Sequence, residues 1–319
     1  MMMFVYAVLV FLVLRFSVTL FNFLSNPKLG YYGKHFTDKV SIIILSARAE
    51  GDIKNTVDAI GRQEYKNIEL LVQQQGANEE ELVGRASGKY LLFLRAGTTP
   101  QHGLINSLIY RFKIFDLAAL SLVPTYVAAG FMEKCIYPLN DFLLLNLLPL
   151  RLIRLSNQPA FAAGSNACLF LDANLCKQQG WHQKIGHKLG MEMVKLVKQQ
   201  HFKAEVLLGN KLIFNKVSLG DLEGFSERLL INFGNSALVA FIYLVLVVAG
   251  PMVLLISFNP AFAVLPFGLI FLSRIMIAFM TAQNPVLQVL LHPLQMLLLF
   301  VFTGKAIWMR MLRSFKPKK

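Results

Sequence analysis

An apolar stretch from Met3 to Leu24, interrupted only by Arg15, opens the chain and is long enough to span a bilayer. The hydrophobic period then changes. Lys39–Leu45 is a continuous β-branched run of the buried-strand type, broken by the polar segment Ser46–Asp52. Ile53–Gly61 reads as a helix with Val57, Ala59 and Ile60 on its apolar side, and Ile68–Val72 as a second strand. A short acidic helix at Glu79–Val83 leads to a third strand, Tyr90–Leu94, followed by a helical pattern starting near Pro100. This alternation of strand and helix predicts a parallel α/β organisation of the nucleotide-binding type. Further along, Asp116–Val123 predicts a buried strand, Leu189–Gln200 an amphipathic helix with its lysines outward, and Ala204–Leu208 with Leu212–Val217 a final strand pair. Three apolar blocks close the pattern, at Ala237–Phe258, Ala261–Ala282 and Pro285–Phe302, punctuated by Asn259-Pro260 and Asn284-Pro285.

Composition turns this pattern into a membrane protein. With 55% hydrophobic residues, the chain is too apolar for a soluble domain of 319 residues. All 18 acidic residues lie between Asp38 and Glu227, so the flanks carry most of the formal net charge of +14. That distribution suits an anionic membrane surface and argues against nucleic acid, which needs basic residues gathered on one face. The first apolar stretch lacks the early positive charge and small-residue cut of a signal peptide, and reads as a retained anchor. Lys28, Lys34 and Lys39 follow it and place the α/β domain in the cytoplasm, at the plasma (inner) membrane. The resulting partition is an anchor at 1–24, an α/β domain at 25–232, hydrophobic helices at 233–304 and a basic tail at 305–319. Three crossings would put that tail outside, against the positive-inside preference, and Gln288, His292, Pro293 and Gln295 mark the last block as the one that could re-enter. Tyr137–Ile153 is leucine-rich, but Asn140, Asp141, Asn146, Pro149 and Arg151 exclude a full span. An interfacial helix and a core helix of the soluble domain both fit it. Cys135, Cys168 and Cys176 have no metal-site spacing and read as reduced thiols.

The chemistry centres on Gly88–Pro100, where the third strand runs into a polar turn carrying Arg95 and Gly97. In an open α/β sheet the carboxyl ends of the strands are where ligands sit. Here the residues resemble family 2 glycosyltransferases, in particular the membrane-bound group that glycosylates lipids, carotenoids and ceramides. Three motifs carry the likeness: the first strand with Glu50 after it, the run Gln63-x-Tyr65-x-Asn67-Ile68-Glu69, and the third strand with its turn. Ala162–Phe170 followed by Gln179-Gly180-Trp181-His182 adds an acceptor-side segment. The resemblance implies a GT-A-like, Rossmann-like nucleotide-sugar-transferase domain plus N- and C-terminal transmembrane helices. It also implies a nucleotide diphosphate sugar as donor, a lipid or polyisoprenoid acceptor, a Mn or Mg ion on the diphosphate, and an aspartate base.

This chain departs from the family at the chemistry itself. Gln74 and Gln75 stand where the family holds the nucleoside with aspartates, and glutamine can still hydrogen-bond a base or ribose. Arg95 and Gly97 stand at the two metal-binding aspartates, and neither can ligate a cation, so no metal is expected. Gly190 stands at the general base, with Glu192 two residues on. Two readings follow. Arg95 could replace the metal by pairing bidentately with the diphosphate, with Glu192 or His182 as base and Glu50, Gln74, Gln75 and Gly97 around the donor. Alternatively, the chain is a silent binding or scaffold relative that partners an active glycosyltransferase.

Overall fold

The computed structural model describes residues 2–45, 50–73, 79–185, 190–217, 219–222, 224–257 and 260–315. Helix α1 (Met2–Ser25) precedes a run of alternating elements: β1 (Val40–Leu45), α2 (Glu50–Gly61), β2 (Ile68–Val72), α3 (Glu79–Arg85) and β3 (Tyr90–Arg95). Next come β4 (Thr98–Pro100), α4 (Leu104–Phe115), β5 (Ala119–Val123), β6 (Thr125–Ala128), α5 (Phe131–Ile136), α6 (Pro138–Leu147) and α7 (Leu150–Leu155). β7 (Cys168–Asp172), α8 (Ala173–Gln178), α9 (Trp181–Ile185), α10 (Met191–Gln199), β8 (Ala204–Leu208) and β9 (Ile213–Val217) complete the α/β part. The rest is helical: α11 (Phe225–Ile231), α12 (Ala237–Leu244), α13 (Gly250–Ser257), α14 (Pro260–Met280), α15 (Pro285–Leu290) and α16 (His292–Phe315). A π-helical stretch, Val245–Ala249, joins α12 to α13.

The chain forms two compact units. One comprises Asn26–Val127 and Leu150–Lys216; the other comprises Met1–Ser25, Ala128–Pro149 and Val217–Lys319. The linear partition at 25–232 therefore does not follow the units, because α5, α6 and α11 cluster with the hydrophobic helices.

In the α/β unit a six-stranded sheet runs in the order β2-β1-β3-β7-β5-β8. β1 lies parallel to both β2 and β3, β7 is antiparallel to β3 and β5, and β8 is parallel to β5. Strands covered on both faces read as continuous apolar runs, and β1, β3, β5 and β8 are buried along nearly all their length. Within β1 Ser41 is the polar residue, and its hydroxyl accepts from Gly88 N at 2.8 Å. A Cβ at Gly88 would stand 2.5 Å from Ser41 N, so the chain can enter β3 there only without a side chain. Asn106 and Ser107 of α4 accept hydrogen bonds from the backbone of Phe36 and Tyr32, fixing the linker that precedes β1.

The predicted pair Ala204–Leu208 and Leu212–Val217 does not form a hairpin. β8 joins the main sheet, whereas β9 joins a second sheet of order β4-β9-β6. Gly209 and the 3₁₀ turn Asn210–Leu212 redirect the chain between them. Nor does a helix start at Pro100: Thr98–Pro100 pairs with β9, and α4 begins at Leu104.

Four helices of the other unit are long and apolar enough to cross a membrane: Met2–Ser25, Ala237–Ser257, Ala263–Met280 and His292–Leu312. The protein is therefore an integral-membrane protein with an α/β unit between its apolar helices. Tyr137–Ile153 is not one helix but two, broken where Pro149 disfavours a helical residue before it, and α6 is largely buried within the helical unit. Its partner there is α1: Asn22 Nδ2 donates to the carbonyls of Leu145 and Leu148, and Thr19 Oγ1 to Asn146 Oδ1.

Candidate functional site

β3 ends at Arg95 because the ladder with β7 ends there, the Arg95 N–H donating to Ala167 O at 3.0 Å. The chain then turns through Gly97 at φ +86°, a conformation that residues with a side chain rarely adopt. The Gly97 N–H is held by Asp52 O (3.2 Å) and Thr56 Oγ1 (3.0 Å), and the Thr56 hydroxyl itself donates to Asp52 O (3.0 Å). The first turn of α2 thus fastens the tip of β3. It also brings the Asp52 carboxylate beside Gly97, with Cγ 3.7 Å from where a Cβ would be, while Asn215 Oδ1 of β9 lies at the same distance.

Arg95 is partly exposed, and among the described residues its guanidinium has no hydrogen-bond or carboxylate partner. The site therefore presents an uncommitted bidentate donor beside a backbone turn. Sequence reading missed Asp52, taken as loop before the helix, and Asn215, which is far away in the chain.

The acceptor-side segment reaches the same end of the sheet through backbone packing. Ser165 N donates to Ser121 Oγ of β5 at 2.8 Å. Gly164 and Gly190 then meet so closely that a Cβ on Gly164 would stand 2.5 Å from Gly190 C. Gly190 itself has φ +78°, and a Cβ there would stand 2.4 Å from Asn166 Oδ1 and 2.9 Å from Ser165 C. Because Ala167 lies against Arg95, this contact brings the start of α10, with half-buried Glu192, to the Arg95 end. His182 lies elsewhere. Its Nδ1 sits 4.0 Å from Cys176 Sγ on α8, whose N-cap is Asp172, the residue paired with Tyr90 at the far end of β3. Burial pushes the Cys176 thiol up to about 11, so it is protonated at neutral pH. Glu50 starts α2 but its side chain is outside the described residues, as are Gln74 and Gln75.

A divalent ion such as Mn²⁺ or Mg²⁺ takes a shell of oxygen ligands. Around Gly97 the described residues offer one carboxylate, one amide and a cation, and nowhere among them do three or more His, Cys, Asp or Glu side chains gather to hold a metal. These residues do not fit such an ion.

In fold the chain has a likeness among solved structures. It is similar to the mannosyltransferase PcManGT from Pyrobaculum calidifontis, in complex with GDP-Man and Mn2+. The TM-score is 0.52 at 12% identity, over 91% of this chain and 99% of that one. S. aureus TarS 1-349 in complex with UDP aligns over 65% of each chain, at 13% identity and a TM-score of 0.36. No protein-family model matches the chain. No curated protein matches it either. The likeness to the mannosyltransferase is one of fold, an α/β unit in a chain that also carries membrane-spanning helices.

Proposed function

We propose that this is a membrane-bound protein of the family 2 glycosyltransferase type, which binds a nucleoside diphosphate sugar at the tip of β3 and serves a lipid or polyisoprenoid acceptor. Arg95 takes the part of the divalent ion, pairing with diphosphate oxygens as a fork of N–H donors. The observation that carries this reading is the Arg95 guanidinium, which has no partner among the described residues, at the strand's carboxyl end beside a glycine turn. The Gly97 N–H is already committed to Asp52 and Thr56, so the turn positions the donor without itself contributing that N–H. In this reading Glu192, at the start of α10, serves as the base; His182 acts only if α9 is rearranged.

A specific observation supports a second reading, a silent relative that binds donor or scaffolds an active glycosyltransferase. The position of the usual base is Gly190, and the backbone of Ser165 and Asn166 leaves no room there for any side chain. General-base help has to come from a residue within hydrogen-bond reach, and Glu192 is two positions displaced.

Calorimetric titration of the full chain in detergent with UDP-sugars and GDP-mannose, with and without Mn²⁺, separates these readings. Binding unaffected by metal and weakened at least tenfold in Arg95→Ala supports the arginine clamp. Metal-enhanced binding would overturn it. Sugar transfer to extracted lipid, lost in Glu192→Gln, supports the enzyme. Binding without transfer supports the silent relative.

A further inference from the structure

We infer that Asp52 of α2 and Asn215 of β9 recognise hydroxyl groups on the sugar ring of the nucleotide donor, in the notch at Gly97. This rests on the donor reading above and adds to it the part of the donor that these two side chains select.

Gly97 is where α2, β9 and the turn after β3 meet. Its φ of +86° and its missing side chain leave a space in which a Cβ would touch both Asp52 Cγ and Asn215 Oδ1, each at 3.7 Å. Both side chains are half-buried, and among the described residues neither makes a hydrogen bond or an ion pair. Both stand on rigid elements. Asp52 lies in the first turn of α2, where its carbonyl accepts from Gly97 N and from the Thr56 hydroxyl. Asn215 stands opposite Thr98 in the β4–β9 ladder. Thr98, on the same face of that ladder, buries a hydroxyl without a partner. Polar groups held this way are in position before a ligand arrives, which is the arrangement that fixes a ligand's orientation.

The chemistry of the pair selects what fits. A carboxylate only accepts hydrogen bonds, whereas an amide both accepts and donates. Neighbouring hydroxyls match that set, because each gives one hydrogen and accepts in return. A cationic group would meet the Arg95 guanidinium two residues away, and an anionic group would meet the Asp52 carboxylate. Two residues span at most about 7 Å of chain, so an occupant of the notch lies next to the phosphate that Arg95 pairs with. In a nucleoside diphosphate sugar, the sugar is bonded to the terminal phosphate and the nucleoside sits one phosphate further off. The notch therefore suits the sugar. A carboxylate in the first turn of α2 also favours the helix dipole, but that structural role does not tell a sugar nucleotide from its bare diphosphate.

The test compares UDP with UDP-glucose, and GDP with GDP-mannose, by calorimetric titration of the full chain in detergent. At least one sugar nucleotide should bind about tenfold tighter than its bare diphosphate. Asp52→Ala and Asn215→Ala should each lower that ratio about fivefold or more, with the bare diphosphate bound no more weakly. Asp52→Asn keeps the size of the side chain and loses its charge; it should lower the ratio about twofold or more, and it replaces the alanine variant if that does not fold. A ratio unchanged in these variants overturns the assignment. So does an equal loss of affinity for sugar nucleotide and bare diphosphate, which marks a structural role. If the diphosphates bind and the sugar adds nothing in the unaltered protein, this assignment alone fails. If no nucleotide binds, the donor reading has failed and this assignment falls with it.

Discussion

The two units bury charge in opposite ways. In the α/β unit Glu205 on β8 is completely buried, and three arginines converge on it. Arg111 forks onto both oxygens at 2.6 and 2.7 Å, Arg154 Nε stands at 3.0 Å and Arg151 Nη1 at 3.4 Å. Phe115 is sandwiched between Arg111 and Arg154, at 4.0 and 3.8 Å. The excess cations there are about one-fifth exposed, so water disperses what Glu205 does not neutralise. In the helical unit the arrangement is reversed: Arg15 and Arg274 share the ring of Phe142, and among the described residues no carboxylate comes within pairing distance. The first cluster completes its electrostatics with a carboxylate, whereas the second rests its cations on an aromatic face.

The sharpest way to break this contrast is to remove the anion of the closed cluster. Glu205→Ala strands three arginines around a buried void, and a broken buried ion pair costs about 3–5 kcal/mol. Chemical denaturation followed by Trp181, the buried tryptophan of the α/β unit, in a Trp308→Phe background would read it. A loss below about 1 kcal/mol would show that the cluster is not self-sufficient.

Lys198 offers a second, smaller test in the same unit. Its ammonium is buried, donating to the carbonyls of Ile153 and Phe161, both at 2.7 Å, and burial lowers its pKa from 10.5 to about 8. Between those values the unfolded chain holds a proton that the folded chain has released, so stability rises with pH across that window. A gain of about 1–3 kcal/mol between pH 8 and 10.5 is expected, and Lys198→Met should abolish it. An identical pH profile in the variant would contradict the assignment.

A third test is Asp141 of α6, whose carboxyl burial raises from 3.8 to about 7. Here the folded chain holds the proton that the unfolded chain has lost, so stability falls as pH rises from about 4 to about 7. Asp141→Asn should flatten that fall. The same fall with pH in this variant would show that another group carries it.

Much of the architecture was legible in the residues. The runs at Val40–Leu45 and Tyr90–Leu94 could only be strands buried on both faces, and Met3–Leu24 had the length and uniformity of a membrane span. That Arg95 and Gly97 offer no carboxylate was equally plain, since residue type alone decides whether a side chain can hold a cation. Contacts made across long stretches of chain were not legible. Lys198 falls within an amphipathic period with its lysines expected outward, yet it is buried, because the carbonyls of Ile153 in α7 and Phe161 in the segment after it receive it. Asp52 and Asn215 meet Gly97 only after α2 and β9 have packed. Glu205 carried no local signal at all, as its three partners come from two separate helices. Periodicity and chemical type are properties of neighbouring residues and survive in a sequence read alone. Which charges find partners, and which are left facing a cleft, depends on approach in space, and that only the folded chain decides.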